Sequence, residues 1–390
     1  MAVREGYKQT EVGVIPEDWE VNHVGEINDV KAGGTPSTFI KEYWNGSIRW
    51  MSSGELNNKR INDVEGRITE LGLKNSSASI IPINSVLIGL AGQGKTRGTV
   101  AINYVELCTN QSIASIYPNK NVSHEFMYQY LDSQYEQIRK LSYGEGGRGG
   151  LNLRIIKSIK VPIPPLPEQK AIATALSDID DLINSLSKLI EKKKNIKQGA
   201  MQELLTGKKR LEGFSGEWLE VKLGDILEIG HGQSQQEIEN INGKYPILGS
   251  SGEIGRTDNV LYDKPSVLIG RKGTINEPQY MDSPFWTIDT LFFTKLEHSI
   301  SAKFIYYLFC TINWLNYNEA SGVPSLSSKT IKSINVTIPN YKEQKAIATI
   351  LSDMDKEIEK LQARLDKYKA IKQGMMQELL TGRIRLLEGA

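Results

Sequence analysis

Residues 168–211 read EQKAIATALSDIDDLINSLSKLIEKKKNIKQGAMQELLTGKKRL, and residues 343–386 read EQKAIATILSDMDKEIEKLQARLDKYKAIKQGMMQELLTGRIRL: one segment, repeated about 175 positions on without a gap. In the second copy Ile347, Leu351, Met354, Ile358, Leu361, Leu365 and Tyr368 recur in steps of four and three, which is the seam of a coiled-coil helix. Ile172, Leu176, Ile179, Ile183, Leu186 and Ile190 do the same in the first copy. Further on the apolar stripe changes register, through Ile196 and Ala200 in one copy and Ile371 and Met375 in the other, so the facing surface must accommodate a stutter. An acid opens each helix (Glu168, Glu343), where it meets the positive end of the helix dipole, and Thr-Gly closes it (Gly207, Gly382), glycine accepting the left-handed cap. A helix of roughly 40 residues extends about 60 Å, well beyond a globular helix.

The repeat continues outside the helices. Trp19, Gly25, Glu26 and Ile27 match Trp218, Gly224, Asp225 and Ile226; Ser52, Ser53, Gly54 and Glu55 match Ser250, Ser251, Gly252 and Glu253; Ser85 and Val86 match Ser266 and Val267. The offset falls steadily along the chain, as it does when a duplicated unit loses loop residues in its second copy. The chain therefore divides into a globular domain over 1–160, a long helix over 161–211, a second globular domain over 212–335 and a second helix with its tail over 336–390. Each globular domain reads as short glycine-ended strands, such as 86–90 and 267–270, with one or two helices, so the fold class is α+β. The 130 or so residues between the helices form a compact body whose termini lie close together, so the second helix runs back along the first. An antiparallel coiled coil then joins two globular α/β domains related by an approximate two-fold axis.

Composition narrows the function. Across 390 residues the formal net charge is +1, less basic than a protein that grips a polyanion alone, so any such contact is local or shared with a partner. Cys108 and Cys310 are isolated, and His23, His124, His231 and His298 stand at no metal or triad spacing, so neither a metal site nor a disulfide framework is expected. No nucleophile and base are paired, no carboxylates stand together at a credible site, and no methyl-donor fingerprint is present; catalysis and cofactor binding are not expected. The N-terminus carries no signal-peptide pattern and the longest apolar run, 304–315, is too short to span a bilayer, so a soluble cytoplasmic protein is expected.

The loops differ most between the halves: KAGGTPSTFIKEYWNG faces HGQSQQEIENINGK, and GLAGQGKTRGTV faces GRKGTINEP. One scaffold with unlike tips suits two readers of different ligands. Gly89, Gly94, Lys95 and Thr96 satisfy the phosphate-loop pattern, but Arg97 to Ile102 reads as a turn into a strand where that motif requires a helix, and the second copy lacks the Lys-Thr pair. Gln93, Lys95, Thr96 and Arg97 suit base edges and phosphates instead, since Gln pairs with adenine and Arg with guanine. Further candidates are Arg148 in GEGGRGGLN, Gln233 in GHGQSQQ, Arg256 in GEIGRT, and Arg271 with Lys272 in IGRKGT; for each the alternative is an ordinary solvated side chain.

PLPEQKAIA (165–173) and YKEQKAIA (341–348), each opening a long helix that closes in QELLTG, together with GYKQTEVGVIPEDWEV (6–21) and the GEW at 216–218, resemble the specificity subunit of type I restriction-modification systems over essentially the whole chain. The resemblance implies two target-recognition domains, each reading one half of a split, asymmetric double-stranded DNA sequence, held apart by the coiled coil. It also implies docking of two methyltransferase subunits, which use S-adenosylmethionine to methylate adenine, and association with ATP-hydrolysing endonuclease and translocase subunits through the complex. Neither cofactor is expected to bind this chain. The family's base contacts do not carry over by position, because its recognition domains are the variable part. A two-headed adaptor for protein or sugar ligands and a phosphate-loop hydrolase are the competing readings.

Overall fold

The computed structural model describes residues 3–92, 96–142 and 150–386. Its two longest elements are helices of 39 residues each, Leu166–Leu204 and Tyr341–Leu379. The chain separates into two compact units, Met1–Ser185 with Leu365–Ala390, and Leu186–Arg364. Each unit thus holds the start of one long helix and the end of the other.

The repeated motifs explain this division. In the first unit Glu168 is buried and accepts hydrogen bonds from Arg385 Nε and Nη2 (2.7 and 2.8 Å) and from Trp19 Nε1 (3.0 Å). In the second, Glu343 is buried and accepts from Arg210 Nε and Nη2 (2.6 and 2.7 Å). The first turn of one repeat is therefore bonded to the tail of the other, which fixes the two helices antiparallel within each unit. The neighbouring glutamines bind the helix to its own head: Gln169 Nε2 donates to Pro164 O and its Oε1 accepts from Ser123 N (both 2.8 Å), and Gln344 repeats this with Pro339 O (2.9 Å) and Ser301 N (3.0 Å). The expected dipole role of the two acids is thus joined by a larger one, that of buried ion-pair partners. The closing glycines behave as anticipated: Gly207 and Gly382 both have φ of 69°, and Lys209 N and Ile384 N donate back to Glu203 O and Glu378 O (both 3.2 Å).

Apolar burial follows the seam with one correction. Ile172, Leu176, Leu186, Ile347, Leu351 and Leu365 are buried, while Ile179, Ile183, Met354, Ile358 and Leu361 are half-buried. Beyond the stutter, however, Ile196 and Ile371 are exposed. Lys197 and Lys372 turn inward in their place, Lys197 onto Asp355 and Lys372 onto Asp180 (2.7 Å). A lysine can line such a seam because its methylene stem packs while its ammonium meets a carboxylate. Each head closes its core with both helices: Ile172, Leu176, Leu379 and Leu380 join the first unit's main cluster, and Met201, Leu204, Ile347 and Leu351 join the second's. A fully buried leucine contributes about 1.5–3 kcal/mol, so removing either helix end opens a head.

The heads repeat one topology. The first has a sheet in the order Val30–Ala32, Ile113–Ile116, Val86–Gly89, Val100–Asn103, Arg60–Ile61; the second has Leu227–His231, Leu291–Leu296, Ser266–Gly270, Gln279–Met281. A smaller sheet flanks each, built on Trp44–Met51 in the first unit and Tyr245–Gly249 in the second. A two-stranded ribbon, Glu20–His23 with Lys160–Ile163 or Leu219–Lys222 with Asn335–Ile338, leads into each long helix. Among the described residues no helix is long and apolar enough to cross a membrane.

Candidate nucleic-acid interface

At one end of each main sheet three loops meet on a common ledge, built mainly from backbone hydrogen bonds. In the second unit the ledge is formed by residues 286–291. Gln233 N donates to Thr287 O (2.8 Å), Arg271 N to Thr290 O (2.8 Å), and Leu326 N to Arg271 O (3.0 Å). In the first unit Gly34 N donates to Thr109 O (2.8 Å), Leu90 N to Ser112 O (2.8 Å), and Leu151 N to Leu90 O (3.2 Å). Position by position these are the same bonds. Even an indole donor recurs, although it comes from a different strand: Trp286 Nε1 donates to Gln233 O (3.1 Å), and Trp50 Nε1 to Gly34 O (2.9 Å). Gly232 and Gly33 permit this approach, since a Cβ at either would overlap the ledge carbonyl beneath it, Ile288 O or Thr109 O.

The ledge gathers Gln233, Arg271 and Lys272 on one edge of the second unit. The side chains of Gln233 and Lys272 are exposed, and Arg271 Nη1 donates to Asp289 O (3.2 Å). Arg256 is occupied elsewhere. Its Nε donates to Gly243 O (2.8 Å), Nη2 to Lys244 O (3.0 Å) and Nη1 to Glu253 (3.1 Å), so its guanidinium braces the far limb of the loop that carries Gln233. In the first unit Thr96 is half-buried and its carbonyl accepts from Thr99 N (3.1 Å), and Arg97 is half-buried with Nη1 toward Ser142 Oγ (3.4 Å). Strand Val100–Asn103 follows, in the place where a phosphate loop requires a helix. Gln93, Lys95 and Arg148 lie outside the described residues.

Sequence reasoning missed three residues here. Thr35 and Gln111 hydrogen-bond across the first ledge (2.5 Å), and Phe39 on the same loop is 96% exposed. Aligning the halves on Thr109 and Thr287 would have placed Gln111 opposite Asp289, on the ledge. Burial pushes the Cys108 thiol up to about 11, away from the reactive thiolate form. Among the described residues no three His, Cys, Asp or Glu side chains gather as a metal site.

A duplicated head with one ledge and two unlike sets of tips, each head bonded to both long helices, defines a two-headed recognition protein. The family model described as "Type I restriction modification DNA specificity domain" matches residues 16–198 and 215–367, and the chain belongs to this family. It is similar to the type I restriction enzyme MjaIX specificity subunit of Methanocaldococcus jannaschii, 27% identical over an alignment that covers 98% of this chain and 97% of that one. The EcoR124I/EcoR124II specificity subunit of Escherichia coli is 29% identical over 185 residues, 46% of this chain and 45% of that one. In fold the chain resembles the crystal structure of the type I restriction-modification S subunit from M. genitalium, with a TM-score of 0.67 at 18% identity, covering 97% of this chain and 98% of that one.

Proposed function

We propose that this chain is the sequence-specific DNA-recognition subunit of a type I restriction-modification complex, with one ledge and its tips reading each half of a bipartite, asymmetric duplex target. The observation that carries the reading is the pairing of identical backbone bonds with different side chains: Gly34 and Leu90 occupy the positions held by Gln233 and Arg271 in the other unit. Two half-sites of different sequence require that combination. In the second unit Gln233, Arg271 and Lys272 contact bases and phosphates, and Arg256 acts by holding the loop. In the first unit Thr96 and Arg97 contribute, together with Gln93, Lys95 and Arg148. The long helices hold the recognition units at a set separation and present docking faces to two methyltransferase subunits, while endonuclease subunits join through the complex. The chain itself performs no catalysis and binds neither S-adenosylmethionine nor ATP.

The test is a domain exchange. With residues 14–155 replaced by another recognition domain and the chain co-expressed with its methyltransferase, methylated adenines mapped across the cellular DNA should show one half of the target changed and the other retained. A change in both halves would refute independent reading by the two ledges.

A further inference from the structure

Because the two units share a topology, a feature built into only one of them stands out. In the second unit a cleft of about 520 Å³ opens at the end of the main sheet opposite the ledge. Lys264, Lys295, Lys303 and Lys345 line it, each from a different element: before strand Ser266–Gly270, on strand Leu291–Leu296, on helix Ala302–Thr311 and on the first turns of the second long helix. Glu297 is the one acidic residue on its wall. Among the described residues none of the four lysines forms an ion pair with a carboxylate; Lys303 and Lys345 stand over the rings of Tyr280 and Tyr341 at 4.9 and 5.6 Å. From Lys303 and Lys345 a second hollow of about 220 Å³ continues along the long helix to Ser352 and to Lys356, which is paired with Asp353 (3.1 Å).

The corresponding place in the first unit, between Asn84, Tyr117 and His124, holds about 10 Å³. Tyr117 stands where Lys295 stands, and Glu125, bound to Arg60 and Tyr104, where Lys303 stands. Two residues close this site. Asn28 Nδ2 donates to Tyr117 O (2.7 Å) and Tyr117 N to Asp29 O (2.8 Å), whereas in the second unit Ile226 passes directly into strand Leu227–His231 with no residues between.

We propose that this lysine cleft receives an acidic segment of a methyltransferase subunit docked on the second long helix, and that the first unit has no equivalent contact. The inference rests on the functional reading above and adds an asymmetry to it: the helix motifs are alike in both units, but one partner copy is held by an additional electrostatic contact. Four lysines against one glutamate give the cleft wall an excess of positive charge, which favours an anionic occupant. An acidic protein segment suits this site better than duplex DNA, because the cleft is concave and lies at the end of the same two strands opposite the ledge, about 17 Å away for a strand of five residues. Carboxylates on a flexible segment can enter a concave site of this size, with the tyrosine rings packing against their methylene stems.

The experiment uses the full chain and the methyltransferase subunit encoded with it, with bound copies counted by native mass spectrometry during titration at low and high salt. Lys303→Glu with Lys345→Glu should weaken one of two binding steps by about 100-fold and remove most of that step's salt dependence, leaving the other step unchanged. Lys303→Arg with Lys345→Arg should restore it, and Lys170→Glu, at the position equivalent to Lys345 in the first unit, should not reproduce the loss. The proposal is overturned if both steps shift together, if neither shifts, or if the Glu variant instead loses affinity for target duplex in the absence of methyltransferase. Failure of the unaltered chain to bind any methyltransferase would sink the functional reading itself, a result separate from equal binding of two copies.

Discussion

Replacing Arg385 with Met tests whether each head depends on the tail of the other repeat. The Glu168 side chain is 2% exposed and has three donors, two of them on Arg385. Without the guanidinium the carboxylate stays buried with only the Trp19 indole to satisfy it, and breaking a buried pair in this way costs about 3–5 kcal/mol. At about 1.4 kcal/mol per decade, the opening equilibrium of the first head should rise by two to nearly four decades. Because two units rule out a single two-state transition, the suitable assay is hydrogen exchange followed by mass spectrometry, peptide by peptide. Protection should fall across strand Glu20–His23 and the first turns of helix Leu166–Leu204 and hold across strand Ser266–Gly270, which belongs to the other unit. Replacing both Glu168 and Arg385 with Met should recover most of the loss, since no buried charge is then left unpaired; Asp18, which also loses Arg385, is half-exposed and solvated. A single-variant effect below about 1 kcal/mol, the scale of a surface pair, would refute the argument, as would a double variant no better than Arg385→Met alone.

Two further outcomes follow from the side-chain geometry. Lys272→Ala should weaken duplex binding evenly across sequences and reduce the salt slope by about one, while Arg256→Ala should lower hydrogen-exchange protection in residues 232–244 first, because its donors already serve that loop; the two are separated by measuring salt-dependent binding and exchange on the same variants. Burial holds the His124 imidazole below its ordinary value of 6.5, against the opposing charge of Glu125, so the folded first unit disfavours the proton relative to the unfolded chain. His124 therefore contributes stability that is fully present above that value and is lost as pH falls through the folded value; exchange protection of helix His124–Ser133 should drop as pH falls below about 6.5, and His124→Gln should remove that part of the drop.

Much of this fold is legible in the sequence, because the relevant signals are periodic or local. The spacing from Ile172 to Leu186 and the Thr-Gly stops depend only on helix geometry, and both repeats carry them. What could not be read is which group a side chain meets far along the chain. Glu168 looks like a helix-opening acid until Arg385, 217 residues away, is seen to hold it. Ile196 was the natural continuation of the stripe, yet Lys197 faces inward because Asp355 supplies a charge there that no periodicity records. Arg256 reads in the sequence as part of a glycine-flexible loop, like a base-reading arginine, but it lies on strand Gly252–Thr257, and two carbonyls and Glu253 engage its donors.

The same distinction explains which residues recur between the halves. Glu168 and Glu343, Gln169 and Gln344, and Arg210 and Arg385 recur because each makes the same side-chain bond in both units, and a change in one leaves a buried charge or donor unsatisfied. The ledges place no such demand on the tips. Thr109 O and Thr287 O, like Ser112 O and Thr290 O, accept from backbone amides, and any residue but proline supplies that donor. The backbone bonds are therefore indifferent to the side chain, although at Gly34 a Cβ would overlap the backbone of Ser77 and Ala78 and Leu90 is buried in the first unit's main cluster, so the differences from Gln233 and Arg271 also involve their neighbours. Side-chain bonds hold the helices to the heads, and backbone bonds hold the tips to the ledge, so solvent-facing tip residues can vary at little cost to folding.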